Sequence, residues 1–177
     1  MYLCTPKFTT LRKKDIQAVK DALQTAQKIA IVFHFNPDGD ALGSALALYH
    51  YFKEDGYDVS VISPNIFPDF LNWMPGSEQI IVAQRDLITA RKAIKEADIL
   101  FVVDMNAAHR AGQDLEHSII NANGFKVLID HHVQPDINCN VMYSTHLTSS
   151  ASELVFNFLF KYLTPKRSFS KEIAESV

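Results

Sequence analysis

The sequence predicts an α/β fold: a mostly parallel β-sheet flanked by helices. Short apolar runs rich in β-branched residues alternate with segments of helical period. Runs such as IAIVFHF (residues 29–35) and DILFVVD (98–104) hold continuous apolar stretches at 29–33 and 99–103, as in strands buried on both faces. Turn chemistry such as NPDGD (36–40) separates them from the helices. Strand–helix alternation of this kind builds parallel sheets.

The elements follow in order. Residues 9–28 carry Leu11, Ile16, Val19, Leu23 and Ala26 at roughly helical spacing, which predicts an amphipathic helix. IAIVFHF is the first strand, and ALGSALALYHYFKEDG (41–56) a mostly buried helix closed by Gly56. DVSVIS (58–63) is the next strand. PNIFPDFLNWMPG (64–76), with three prolines, reads as a loop containing one short helical turn. QIIVA (79–83) is a strand, RDLITARKAIKEA (85–97) a helix and DILFVVD a strand. A short helix is expected over 112–122, a strand at FKVLID (125–130) and another at NVMYSTH (140–146). TSSASELVFNFLFKYL (148–163) is a helix with a Ser-rich start, and Glu153 is placed for capping.

The chain has 177 residues, 47% of them hydrophobic, enough for one domain with a substantial core. Its net charge of −3 and pI near 6.1, with no basic stripe, exclude tight sequence-independent binding of long duplex nucleic acid. A short phosphorylated ligand stays compatible, because a bound metal supplies the positive charge that the side chains lack. Cys4 and Cys139 form no metal or redox motif, a pattern suited to a reduced cytoplasm. The N-terminal MYLCTPKFTTLRKK lacks the apolar core of a signal peptide, and no run approaches a membrane span. The expected location is the cytoplasm, without membrane partners.

The chemistry gathers where strands end. IAIVFHF ends in His34, with Asp38 and Asp40 just beyond; DILFVVD ends in Asp104; FKVLID ends in Asp130, followed by His131 and His132. In a parallel sheet these side chains converge on one edge, where ligands bind in such folds. Singly, each has an ordinary explanation: Asp38 or Asp40 caps the following helix, Asp104 makes a turn, the His pair is structural. Three strands ending this way together point to a metal site. Carboxylates and imidazoles without thiolates suit Mn²⁺ or Mg²⁺, with Zn²⁺, Fe²⁺ and Co²⁺ also compatible. Four acids and three histidines exceed the needs of one ion with open positions. They fit two ions, roughly 3.5–4 Å apart, that share a carboxylate and clamp a phosphate. Asp104, alone on the middle strand end, is the natural bridge. His50, His109, His117 and His146 lack such a context, Asp136 reads as a loop acid, and Glu153 is explained by capping.

The segments HFNPDGDALGS (34–44), VVDMNAAHRAG (102–112) and LIDHHVQPD (128–136) resemble motifs I, II and III of the DHH phosphoesterases, and SSASELVFNFL (149–159) is similar to the Ser-rich helix start that follows them. The resemblance implies that His34, Asp38 and Asp104 hold a first metal, and Asp40, Asp104 and His131 a second. It further implies that His132 contacts the scissile phosphate or its leaving oxygen, and that Asp130 orients the histidines. Arg110 matches a recurrent Arg that either contacts phosphate or braces its loop. Gly39 is expected to permit a tight turn between the aspartates, and Gly43 and Ser44 to let the helix start pack near the site. Ordinary helix–sheet packing accounts for these small residues equally well.

Motif I looks closest to the NrnA-type oligoribonucleases. That implies two divalent ions, Mn²⁺ first with Mg²⁺ or Co²⁺ also suited. The implied substrates are short single-stranded RNA oligonucleotides or adenosine 3′,5′-bisphosphate, hydrolysed by a metal-activated water in a homodimer. Pyrophosphatases and exopolyphosphatases of the superfamily are the alternative, and a non-catalytic nucleotide-binding module is the alternative outside enzymes. SFSKEIAESV (168–177) resembles the helix ahead of a further motif that supplies another Asp to the second metal. The expectation is a DHH domain over 1–177 cut before that motif and before a smaller substrate-binding domain. Such a piece keeps its first metal site, has a weak second one, is weakly active by itself, and exposes apolar surface that favours self-association.

Overall fold

A computed structural model describes residues 11–177. Cys4 and the first two residues of the expected N-terminal helix lie outside the described residues. In chain order the helices are α1 (Lys13–Thr25), α2 (Gly39–Glu54), α3 (Leu87–Glu96), α4 (Gln113–Ile120), α5 (Ala151–Asn157) and α6 (Lys171–Ser176). The strands are β1 (Lys28–Val32), β2 (Asp58–Ser63), β3 (Ile81–Val82), β4 (Ile99–Val103), β5 (Phe125–Asp130) and β6 (Val141–Ser144). No helix among the described residues is long and apolar enough to cross a membrane.

All six strands run parallel, in the order β3-β2-β1-β4-β5-β6. The unbroken apolar runs are explained by burial on both faces. Ile29 and Ile31 of β1 and Phe101 of β4 join the core under α2 and α5. Ala30, Val32, Leu100 and Val102 join the core under α3 and α4. Chain progress reverses between β1 and β4, so the crevice beyond their carboxyl ends is the switch point where ligands bind in open α/β sheets.

Several elements are shorter than their sequence runs. β1 stops at Val32 because the Phe35 amide donates to the Arg110 carbonyl at 2.7 Å instead of to a neighbouring strand. That releases His34 from the ladder. β3 is reduced to two residues because Ser77–Gln79 winds into a 3-10 turn ahead of it. The long C-terminal helix begins at Ala151, capped by the Ser150 hydroxyl, and widens into a π-helical turn over Phe158–Leu163 that keeps Phe158, Leu159 and Leu163 buried. Ser150 accepts from the Glu153 amide at 3.1 Å, but the Glu153 carboxylate turns to the Thr148 hydroxyl, so only half of the expected capping box forms.

Candidate metal centre

His34, Asp38, Asp40, Asp104, Asp130, His131 and His132 all gather at the carboxyl ends of β1, β4 and β5, Asp130 as the last residue of β5 and Asp40 in the first turn of α2. Asp104 is at the centre, 2% exposed. Its Oδ2 lies 3.4 Å from His34 Nε2, and its Oδ1 3.3 Å from His131 Nε2. His34 Nε2 also lies 4.0 Å from Asp38 Oδ1, and His131 Nε2 lies 3.6 Å from Asp40 Oδ2. Ligand atoms of His34, Asp38 and Asp104 fall within 4.8 Å of one another, and so do those of Asp104, His131 and His132. Asp104 belongs to both groups.

Local structure sets each side chain. Asp38 is the N-cap of α2, its Oδ1 accepting from the Asp40 and Ala41 amides at 3.0 and 3.1 Å. Capping leaves Oδ2 without a role in the helix, while Oδ1, the capping oxygen, is the one that faces His34. Asp40, in the first turn of α2, accepts from the Ala151 amide at 2.7 Å and the Ser152 amide at 2.9 Å, which docks α5 onto the site. His34 Nδ1 meets the Phe35 carbonyl at 2.9 Å; a carbonyl only accepts, so Nδ1 carries a proton and Nε2 is the nitrogen turned toward the aspartates. Asp130, fully buried, accepts from the His132 amide at 3.0 Å and holds His132 Nδ1 at 2.7 Å. Among its hydrogen bonds only His132 is a histidine partner; His131 packs instead against the His132 ring, with centroids 4.6 Å apart.

Burial, reinforced by the charges of Asp40 and Asp38, holds the Asp104 carboxyl above its ordinary range despite the His34 contact. Burial alone would lower the His34 imidazole; contacts with Asp104 and the Phe35 carbonyl, and the negative charges beside it, outweigh that and raise it. Asp104 also has a left-handed backbone, φ 52°, and its Oδ1 is buried with no hydrogen-bond partner among the described residues. A strained, buried carboxylate with an unpaired oxygen between imidazole nitrogens calls for a cation. The donor set of carboxylates and imidazoles fits a hard or borderline divalent ion.

Arg110 is half-buried beside this edge. Its carbonyl accepts from Phe35, and its guanidinium forms no ion pair among the described residues. Gly39 departs from expectation. Its φ is not positive, and an added Cβ would make only ordinary contact with Leu71, so no tight turn depends on it. The left-handed residue in the loop is Asn36, φ 54°, whose amide donates to Asn65 Oδ1 at 2.7 Å. Gly43 is essential to packing: a Cβ there would collide with the Ser176 carbonyl and lie 3.2 Å from Ser152 Oγ. Of the histidines set aside, His50 is satisfied by the Pro75 carbonyl at 2.8 Å, and His109, His117 and His146 are exposed.

Sequence reasoning missed two braces. Asn106 Nδ2 donates to the Val133 carbonyl at 2.8 Å while its own carbonyl accepts from Asp136, tying the loop after β4 to the loop after β5. Asn65 ties the β2 loop to Asn36. The only advance signal was an Asn close behind a strand end.

Comparison with known proteins agrees with this fold. An exopolyphosphatase-related protein from Bacteroides fragilis is 39% identical, with a TM-score of 0.90 over 95% of this chain. The match covers 49% of that protein, so the present chain spans about half its length. Exonuclease RecJ bound to manganese is 17% identical, with a TM-score of 0.50 over 89% of this chain and 40% of its own. RecJ from Thermus thermophilus, in complex with Mn²⁺, is 16% identical, with a TM-score of 0.52 over 90% of this chain and 22% of its own. At those identities the two RecJ structures share the fold. The N-terminal domain of the DHH family matches residues 28–177, a span that holds every strand and every clustered aspartate and histidine, and the chain belongs to that family.

Proposed function

We propose that this chain is the metal-binding half of a two-metal phosphoesterase acting on short single-stranded RNA oligonucleotides or a nucleoside 3′,5′-bisphosphate. The observation that carries the reading is Asp104. It is buried, strained and short of one hydrogen bond, with His34 facing one oxygen and His131 the other. In this reading His34, Asp38 and Asp104 hold one ion, and Asp40, Asp104 and His131 the second. Mn²⁺ is the expected metal, with Mg²⁺ or Co²⁺ also suited to these donors. When bound, such ions neutralise phosphate charge and make water a nucleophile near neutral pH.

The protein's own groups do the rest. His34 keeps Nε2 toward the aspartates because Nδ1 is held by the Phe35 carbonyl. Asp130 fixes His132 through Nδ1, leaving Nε2 to meet the phosphate or its leaving oxygen. Arg110 either meets a phosphate oxygen with its guanidinium or only braces its loop, as its carbonyl does through the Phe35 amide. A last metal-ligand motif and a smaller substrate-binding domain are assigned to the remainder of a longer cytoplasmic, dimeric protein. By itself, residues 1–177 would then bind one ion well, a second weakly, and turn over slowly. A second reading, hydrolysis of pyrophosphate or polyphosphate, is favoured by the name of the exopolyphosphatase-related relative.

Calorimetric titration with Mn²⁺ tests the proposal. Binding by the wild type that disappears in Asp104→Ala supports it; equal binding by both removes Asp104 from the centre and overturns it. Comparing hydrolysis of a dinucleotide with that of pyrophosphate then separates the two substrate readings.

A further inference from the structure

Beside the metal centre, the loop leaving β2 carries an exposed aromatic pair. β2 pairs with β1, so this loop (64–76) emerges on the same sheet edge as His34. It is tied there by the Asn36–Asn65 hydrogen bonds, 2.7 and 2.9 Å. A second anchor is Leu71, 5% exposed, whose Cδ2 would touch a Cβ on Gly39 at 3.9 Å, between Asp38 and Asp40. Flanking that anchor, Phe70 and Trp73 are 73% and 67% exposed. The segment winds in 3-10 steps, with Leu71 bonded to Pro68, Asn72 to Asp69 and Met74 to Leu71. Phe70 lies within the 3-10 turn Asp69–Leu71 and Trp73 two residues beyond it, so the two exposed rings sit one on each side of the buried Leu71 in the chain.

Two large rings left in water at a braced position beside a phosphate-handling site are poised for a flat apolar occupant. The only charged residue in the loop is Asp69, so the loop itself brings no cation to a further phosphate. A nucleobase meets both conditions, because its π-face stacks on an aromatic ring without needing a charge partner. We propose that Phe70 and Trp73 are a stacking platform for a base of the substrate whose phosphate lies at the metal centre. This rests on the phosphoesterase reading and deepens it: the preferred substrates carry bases.

Trp73 is the only tryptophan in the chain, so its fluorescence reports on the platform directly. The probes are adenosine 3′,5′-bisphosphate and a diadenosine dinucleotide with Mg²⁺ present, against pyrophosphate and ribose 5-phosphate, which have no base. Saturable quenching by the base-bearing probes alone is the expected result. Phe70→Ala and Trp73→Ala, both at exposed positions, should each weaken calorimetric binding of the dinucleotide about tenfold, with pyrophosphate binding unchanged. Equal quenching by base-free probes overturns the platform, as does a Trp73→Ala variant that changes only the oligomeric state in sedimentation, since a second copy would then be the occupant. Base-specific quenching without hydrolysis of any phosphoester supports the platform and removes only the catalytic reading. Hydrolysis without base-specific quenching removes only the platform.

Discussion

Asp104 combines a left-handed backbone, near-complete burial and an oxygen without a partner, and each feature costs stability in the absence of a cation. Asn tolerates positive φ and carries no charge, so Asp104→Asn should relieve part of that cost. The expected gain is about 1 kcal/mol, or roughly 2–4 °C in the melting temperature of the metal-free protein. The same variant should lack the Mn²⁺-induced rise in melting temperature expected of the wild type. Thermal melts with and without Mn²⁺ check both halves; a metal-free variant less stable than the wild type would mean that Asp104 is a structural residue. Asp130→Asn probes a different link. It should keep Mn²⁺ binding, because the Asp130 carboxylate hydrogen-bonds only His132, which this reading places on phosphate and not on an ion, while lowering turnover about 10- to 100-fold. These positions were legible in the sequence because carboxylates and imidazoles at three strand ends are costly unless shared. The strain was not legible. Motif I points to Gly39 as its permissive residue, yet the positive φ falls on Asn36, and nothing in residue order distinguishes the two.

Among the elements, the junction of α2, α5 and α6 places Asp40 at the site. The Ala151 and Ser152 amides hold its carboxylate from one side, and Ser44 Oγ lies 3.3 Å from Ser152 Oγ. Gly43 admits the Ser176 carbonyl to the surface of α2, in a space no side chain can share. Gly43→Ala should therefore push α6 outward at a cost of about 1–3 kcal/mol. Amide exchange would show it as faster exchange confined to Lys171–Ser176, while exchange as slow as in the wild type would mean that the helices shift together without strain. Element type could be read from the sequence wherever periodicity was long, as in α2 and β4. Boundaries could not, because they were decided by remote partners. β1 ends where Arg110 captures the Phe35 amide, and the C-terminal helix widens where its aromatic residues pack.

Over the whole molecule, the two edges of the sheet are built for opposite purposes. Parallel strands let the convergence of Asp and His be inferred from residue order, although the order β3-β2-β1-β4-β5-β6 could not be, since strand pairing depends on contacts far apart in the chain. At the carboxyl edge Asp104 lacks a donor for one oxygen. At the amino edge Asp98 has donors to spare: its Oδ2 accepts from the Gln27 and Lys28 amides, both at 2.8 Å, and so clamps the start of β1 to the start of β4. The Lys28 and Gln27 amides, with the Lys28 charge nearby, hold the Asp98 carboxyl below its ordinary value. A carboxyl depressed in the folded state binds fewer protons there than in the unfolded chain. Its stabilisation is thus fully present above the ordinary carboxylate range, near pH 4, and is lost as pH falls through the depressed folded value. Asp98→Asn should lower the urea midpoint at neutral pH and flatten its decline between about pH 4 and 2. Mn²⁺ binding at the opposite edge should be unaffected. Parallel acid limbs in the wild type and the variant would show that the clamp stores no pH-dependent stability, and a loss of Mn²⁺ binding would show that the two edges are coupled through β1 and β4.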